Sequence, residues 1–171
     1  VFHNAGHILG SALTQLDVKD PSGHIRRLLF TGDLGQPGQP ILRDYDMPQD
    51  ADVLLIESTY ADRDHPSTED VKGRLKGFID DIHQQKSRLI IPAFSVGRTQ
   101  QLLMMLNELV EHHRICAVPV YVDSPLSKKA TEIHRNHVEC FNEKTRRMLE
   151  AGDDPFRFPG LRFTSSVEES M

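Results

Sequence analysis

The sequence lacks most of the features that mark secreted and membrane-inserted proteins. It holds two cysteines in 171 residues, and Cys116 and Cys140 form no CxxC pair, which favours reduced thiols over a disulfide framework. No charged, apolar and small-residue signal pattern opens the sequence, and no apolar run approaches the ~20 residues that span a bilayer. We therefore expect a cytoplasmic protein without a membrane partner.

Excess positive charge is also absent. Twenty Lys and Arg side chains stand against 25 Asp and Glu, which gives a formal net charge of −5 at pH 7. The whole surface therefore does not attract a polyanion, and any contact with nucleic acid needs a local basic surface. The hydrophobic share of 38% is ordinary for a globular chain, so disorder is not the default.

The first third of the sequence predicts a β-hairpin and a further strand. Residues 12–18 alternate between apolar and polar, 25–30 are a second strand candidate, and the turn signal 21–23 lies between them, which predicts an antiparallel hairpin. A loop over 34–50 leads to the continuously apolar run 53–56, which is typical of a buried strand.

After residue 61 the signals for helices and strands alternate. Ser67 can cap a helix whose apolar residues recur at 3.6-residue spacing. The later elements are predicted as strands at 88–92 and 118–122 and helices near 97–113, 127–137 and 142–151. Apolar strands that alternate with helices predict a parallel α/β sheet covered by helices. We place the boundary between a mostly β part and this α/β part near residue 61.

Two polar motifs flank the predicted hairpin. His7 lies in a loop of small residues just before a strand, where an imidazole can be presented with little obstruction; the alternative is a His that only hydrogen-bonds within a turn. Asp33 lies between two glycines just past a strand, where a carboxylate can bridge two cations; the alternative is an Asx-turn. An antiparallel hairpin brings both residues to the same end.

Further polar groups follow the later strands. Glu57 ends a strand, with Arg63 and His65 close behind, and a carboxylate there can orient an imidazole; the alternative is a cluster that caps a helix or stabilises a loop. Ser95 and Arg98 precede a helix, where free amides and a guanidinium suit a phosphate, or where they form only a tight turn.

Two more features belong to the α/β part. Ser124 repeats the strand-to-helix topology of Ser95 and can line the same cleft, because ligands bind at the carboxyl ends of strands in open α/β sheets. His134 and His137 lie three residues apart on one predicted helix. They form a candidate ligand pair, although an exposed helical face is the favoured interpretation.

Taken in order, five segments carry a family resemblance: AGHILGSA, FTGDLG, LLIESTY followed by DRDH, IIPAFSVGRTQQLL and PVYVDSPLS. Together they resemble the successive signatures of the β-CASP group of metallo-β-lactamase-fold nucleases. The resemblance implies a partial metallo-β-lactamase αββα sandwich over residues 1–60. It implies the first part of a parallel-sheet α/β β-CASP cassette over residues 61–171, an insert that closes over the metal site to form an RNA-binding cleft.

The resemblance also assigns roles to three residues. His7 would bind one zinc, Asp33 would bridge two, and Glu57 would hydrogen-bond a His, absent from this chain, that protonates the leaving group. The family's HxHxDH motif occurs nowhere in the sequence, and a zinc site needs about three protein ligands per metal. We therefore expect an internal fragment that binds little metal tightly and is itself inactive.

For the longer protein, the resemblance implies two Zn²⁺ ions, single-stranded RNA as partner, and hydrolysis of RNA phosphodiester bonds as an endonuclease or an exonuclease. A homodimer is a further expectation. Two alternatives stay open at this point: a catalytically silent RNA-binding or scaffold subunit of an RNA-processing complex, and a small-molecule metallo-hydrolase.

Overall fold

The predicted hairpin forms the centre of a four-stranded sheet. In the computed structural model, which describes residues 1–116, 118–164 and 169, β2 (Ala12–Lys19) pairs antiparallel with β3 (Ile25–Phe30). The short strand β1 (Phe2–Asn4) adds antiparallel to β2, and β4 (Val53–Leu55) adds parallel to β3, in the order β1-β2-β3-β4. The hairpin prediction is confirmed, whereas β1 was not predicted.

One face of this sheet carries a small core. Leu13 of β2 and Leu29 of β3 are buried together with Ala5, and Leu34 and Tyr45 pack against them. Successive side chains of a strand point to opposite faces, and Leu13 and Gln15 lie on the buried face of β2, whereas Leu16 and Val18 lie on its exposed face. These elements belong to a compact unit formed by Val1–His65.

The burial predicted for the strand at 53–56 is wrong. Val53, Leu54 and Leu55 are 46%, 49% and 48% exposed, and Ile56 is 57% exposed. Within the described ranges β4 pairs only with β3, so it is an edge strand. A continuous apolar run indicates a strand that can be buried on both faces, but burial needs neighbouring elements that cover those faces.

The described residues of the second compact unit, Pro66–Met171, form four α-helices and a pair of parallel strands. Its elements are α1 (Thr68–Gln85), α2 (Arg98–Glu111), β5 (Val120–Val122), α3 (Pro125–Asn136), α4 (Glu143–Glu150) and β6 (Leu161–Phe163), with a short 3₁₀ helix at Val138–Cys140. Helix α1 begins where predicted, because the Ser67 side chain accepts a hydrogen bond from the Asp70 N–H. The mixed α/β fold class is confirmed.

Helix α2 supplies much of the core of this unit. Its buried apolar side chains are at most 6% exposed: Leu103, Met104, Met105, Leu106 and Leu109. Burial of each such side chain contributes about 1.5–3 kcal/mol. No helix in the described part of the chain is long and apolar enough to cross a bilayer.

A polar network joins three helices of the second unit. Lys72 of α1 is buried and pairs with Glu108 of α2, which also accepts a hydrogen bond from Lys144 of α4 at 2.6 Å. Burial alone would raise the pKa of Glu108, but the hydrogen bonds from the two lysines outweigh it and hold that pKa below its ordinary value. Glu108 therefore stays ionised, and its charge compensates a buried ammonium group.

The strand predicted at residues 88–92 is wrong. These residues have no regular secondary structure, and Ile90 and Ile91 are 86% and 43% exposed. A strand needs a neighbour that satisfies its N–H and C=O groups, and no described residue pairs with this segment. The apolar run predicted a strand but carried no information about its partner.

Candidate functional site

The loop that carries His7 is held by a serine. Ser11 Oγ accepts the N–H groups of His7 and Ile8, both at 3.2 Å, and donates to the Ile8 carbonyl at 2.8 Å. Among the described residues nothing hydrogen-bonds the His7 imidazole, so the turn does not depend on this side chain. Its ring nitrogens are left available to an external ligand.

Asp33 lies just past β3, on an exposed loop. Thr31 is buried, Gly32 has a φ of 55°, and the Asp33 side chain lies at the surface. In the described part of the chain the Asp33 carboxylate accepts no hydrogen bond, so the Asx-turn that was the alternative for this residue is not formed. Both carboxylate oxygens are available to a cation.

The His7 and Asp33 loops contact each other through their backbones. The Gly35 N–H donates to the Ala5 carbonyl at 2.8 Å. A Cβ atom at Gly35 would lie 2.1 Å from the Gly6 carbonyl oxygen and 2.8 Å from the His7 nitrogen, so only glycine fits there. The second glycine of the GDLG segment therefore lets the Asp33 loop lie directly against the peptide that leads into His7.

Glu57 is bonded to the same loop. Its Oε1 atom accepts the Leu34 N–H at 2.7 Å, and its Oε2 atom accepts the Thr59 hydroxyl at 2.6 Å. The hydrogen bond from the Thr59 hydroxyl, then that from the Leu34 N–H, lower the pKa of Glu57. Glu57 is therefore an ionised carboxylate at neutral pH, and its bonds are of the loop-stabilising kind that was the alternative for this residue.

The segment after Glu57 carries a pair of stacked rings. The Tyr60 and His65 ring centroids lie 3.6 Å apart with a 31° tilt, and Tyr60 is 50% exposed. Arg63 forms two 2.8 Å hydrogen bonds with Asp62, which raise the pKa of its guanidinium. His65 is thus placed in a surface stack, whereas the charge of Arg63 is partly compensated by its neighbour.

In the second unit the structure brings Ser95 and Ser124 together. Their hydroxyl oxygens lie 3.1 Å apart. Ser124 caps α3 by accepting the Ser127 N–H at 3.1 Å, and Arg98 is the first residue of α2, with its side chain exposed. Two serine hydroxyls and the starts of two helices therefore belong to one local arrangement, as their similar sequence positions predicted.

Gln100 organises this arrangement and was missed from the sequence. It is fully buried; its Oε1 atom accepts the Gly97 N–H at 2.8 Å, and its Nε2 atom donates to the Ser95 carbonyl at 3.1 Å and to Thr131 Oγ1 at 3.0 Å. A glutamine three residues after a glycine at a helix start is a capping signal. That spacing could have identified its contact with Gly97, but not its contact with α3.

The exposed-face interpretation is wrong for His134. This side chain is 2% exposed, its Nδ1 atom lies 2.8 Å from the Ala130 carbonyl oxygen, and burial lowers its pKa. It packs edge-on against Phe156, which explains its burial. His137 is exposed and hydrogen-bonds Glu139 at 2.8 Å, so each imidazole has its own bonded neighbour.

His7 and Asp33 fit part of a metal centre. Across the ranges that the structure describes, no group of three or more His, Cys, Asp or Glu side chains could hold an ion. An imidazole and a carboxylate are nevertheless the donors that zinc binds, and here both lie unbonded on loops joined by their backbones. Two such residues supply part of a site that needs about three protein ligands per metal.

Comparison with known proteins finds one matching domain family and several similar proteins. The profile of the Beta-Casp domain matches residues 99–171. The chain is 34% identical over 170 residues to Ribonuclease TTHA0252 of Thermus thermophilus. It is 33% identical over 172 residues to Cleavage and polyadenylation specificity factor subunit 3-I of Arabidopsis thaliana, and 33% identical over 158 residues to RNase J-like protein of Methanocaldococcus jannaschii.

These similarities extend along nearly the whole chain. They cover 99%, 98% and 91% of its residues, whereas the chain spans 38%, 24% and 36% of the lengths of those relatives. The domain match lies within the second unit, and the alignments include the His7, Asp33 and Glu57 segments of the first. Residues 99–171 therefore match a Beta-Casp domain, and by its ordered motifs and its relatives the chain is similar along nearly its whole length to the β-CASP group of metallo-β-lactamase-fold nucleases.

Proposed function

We propose that this chain is part of a longer, metal-dependent ribonuclease that hydrolyses RNA phosphodiester bonds. The observation that carries the proposal is the backbone contact of Gly35 with Ala5, Gly6 and His7, which fixes two unbonded metal-binding side chains on adjoining loops. The names ribonuclease and Endoribonuclease YSH1, borne by relatives 34% and 30% identical, support RNA as the substrate.

In this proposal His7 and Asp33 hold zinc, with further ligands supplied by other parts of the longer protein. The bound metal would supply a Lewis acid and lower the pKa of a bound water. The chain's own contribution is to hold an imidazole and a carboxylate in fixed relation, which avoids reorganisation when the substrate arrives. Glu57, ionised and bonded beside Asp33, acts on this arrangement and not on the RNA.

Both units carry groups suited to single-stranded RNA. In the second unit, the Ser95 and Ser124 hydroxyls with Arg98 at the start of α2 suit a backbone phosphate, because helix N-termini and guanidinium groups attract anions. In the first unit, the exposed Tyr60–His65 stack offers an aromatic face to a base. A cytoplasmic location, suggested by the free thiols of Cys116 and Cys140, and a homodimer are parts of the same proposal.

A catalytically silent RNA-binding subunit is the second candidate. The Ser95–Ser124 arrangement and the Tyr60–His65 stack favour it, because neither needs a metal to contact RNA. The small-molecule hydrolase alternative gains no such support, since the Beta-Casp match covers residues 99–171 and the relatives named above include ribonucleases.

Cleavage and binding by the longer protein separate the two candidates. A labelled single-stranded RNA is incubated with the zinc-loaded wild type and with His7→Ala, Asp33→Ala and the exposed-residue control Glu132→Ala. We expect both ligand variants to lose at least about a hundredfold in cleavage rate, with RNA binding and the control unchanged. Cleavage that survives both changes contradicts the metal assignment, and binding without cleavage by the wild type identifies the silent subunit.

A further inference from the structure

The carboxylate of Glu57 lies at the end of β4 but is bonded to the segment that follows β3. Its Oε1 atom accepts the N–H of Leu34, the residue directly after Asp33, at 2.7 Å. The other oxygen is occupied by the Thr59 hydroxyl at 2.6 Å. Both oxygens therefore already have partners within this chain, and one of the partners is the backbone of the Asp33 loop.

Of three consecutive residues in that loop, the first faces solvent and the next two are held by hydrogen bonds. Asp33 presents its carboxylate to solvent, the Leu34 N–H is bonded to Glu57, and the Gly35 N–H is bonded to the Ala5 carbonyl at 2.8 Å. Because adjacent residues cannot move independently, the Leu34 bond limits the motion of Asp33 on one side. On the other side, the Leu34 bond limits the motion of Gly35. Because Gly35 contacts the peptide that leads into His7, the motion of that peptide is limited as well.

We propose that Glu57 is a positioning residue for the His7 and Asp33 pair, acting through its hydrogen bond to the Leu34 N–H. As a role in metal binding, this inference rests on the proposed function. A carboxylate is suited to it, because hydrogen bonds to an ionised acceptor are stronger and shorter than those to a neutral one. Residues that orient metal ligands commonly change metal affinity when they are removed.

This role differs from one in which Glu57 acts only by orienting a distant His for proton transfer. Orientation of a protonated imidazole is strengthened by the negative charge of the carboxylate, whereas acceptance of the Leu34 N–H needs only an oxygen acceptor. Glu57→Gln keeps that oxygen and removes the charge, and Glu57→Ala removes both. The pair of variants therefore separates the two roles.

Amide hydrogen exchange of this chain without metal tests the inference directly. NMR compares the wild type with Glu57→Ala, Glu57→Gln and the exposed control Glu132→Ala. We expect Glu57→Ala to accelerate exchange of the Leu34 and Gly35 amides roughly tenfold or more. We expect Glu57→Gln to retain most of the protection and the control to leave it unchanged. Unchanged protection of the β2–β3 ladder shows that each variant is folded.

Two results would overturn the inference: unchanged Leu34 exchange in Glu57→Ala, and equal acceleration in Glu57→Gln and Glu57→Ala. If Glu57→Ala does not fold, Thr59→Val replaces it, because this change removes the hydroxyl that fixes the other carboxylate oxygen of Glu57. We then expect an intermediate acceleration of amide exchange at Leu34. Unaccelerated exchange at Leu34 in Thr59→Val contradicts the inference. Failure of the proposed function gives a different result. Amide exchange then responds as expected, but RNA cleavage by the longer protein is unchanged in His7→Ala and Asp33→Ala.

Discussion

The hydroxyl oxygens of Ser95 and Ser124 lie 3.1 Å apart although 29 residues separate them in the chain. Gln100, fully buried, holds the Ser95 carbonyl and the Thr131 hydroxyl with one amide nitrogen. The start of α2 and the start of α3 are therefore fixed relative to each other by hydrogen bonds within a buried setting. Because these groups are already ordered, binding of a phosphate to them carries little further entropy cost for ordering side chains.

Arg98→Gln is expected to weaken binding of a short single-stranded oligouridylate and to lower the slope of log affinity against log salt by about 1, the loss of one phosphate contact. Arg98 is exposed at the first turn of α2. Fluorescence anisotropy over a salt series measures both quantities. Arg74→Gln, which removes an exposed arginine from α1, is the matched control; an equal loss in that variant means that only overall charge matters.

Tyr60→Ala is expected to reduce affinity for the same RNA by about 1–3 kcal/mol, the usual contribution of one base stacked on an aromatic ring. Tyr60→Phe should retain the affinity, because the face of the ring is kept. Tyr121 is also exposed, at 59%, but lies in the other unit, so Tyr121→Ala is the control. Identical affinities for wild type and Tyr60→Ala would show that the Tyr60–His65 stack does not contact the RNA.

Gly35→Ala is expected to destabilise the fold by about 1–3 kcal/mol, the usual range for overpacking, because the new Cβ would meet the Gly6 carbonyl oxygen at 2.1 Å. Urea unfolding followed by far-UV circular dichroism measures the change. Gly77→Ala on α1 meets no atom within 4 Å and should instead stabilise by about 0.5–1 kcal/mol. Two variants of equal stability would show that the loops separate readily.

Stability should fall at acid pH partly through Glu108. Its pKa is lowered in the folded chain, so its contribution is fully present above the unfolded value of about 4.5 and is lost as the pH falls through the lowered folded value. Glu108→Gln should lower the free energy of unfolding by about 1–3 kcal/mol at pH 7, because Lys72 loses its charged partner. The free energy of unfolding of this variant should also fall less steeply as the pH becomes acidic. Urea unfolding at several pH values tests this against Glu132→Gln, which should match the wild type at every pH.

Much of the architecture could be predicted from local patterns. The alternation of residues 12–18 and the turn at 21–23 predicted the hairpin, and the Ser67 cap predicted the start of α1. The alternation did not identify the buried face, because Leu16 and Val18 are exposed while Gln15 is buried. The burial of β4 and the strand at 88–92 were predicted incorrectly, because both depend on which other elements lie beside an apolar run. Periodicity describes a segment and contains no information about its neighbours.

The candidate site, like the fold, was predicted only in part. The small-residue setting of His7 and the glycines around Asp33 predicted two polar side chains on loops, and the structure places Asp33 at the surface and His7 half-buried. The hydrogen bond from Leu34 to Glu57 and the approach of Gly35 to Gly6 could not be predicted, because each joins segments that are far apart in sequence. The glycine and the glutamate are visible in the sequence, but their backbone partners are not.

The exposed edge at β4 predicts that the association state of this chain in solution depends on its concentration. Among the described residues, the outer edge of Val53, Leu54 and Leu55 has no strand partner and carries apolar side chains, and such edges can pair with other chains. Formation of a pair depends on the square of the monomer concentration, so we expect dilute chains to stay separate and concentrated ones to associate. A lysine in place of Leu54 should shift that balance towards the monomer, since a charge on an edge strand opposes pairing.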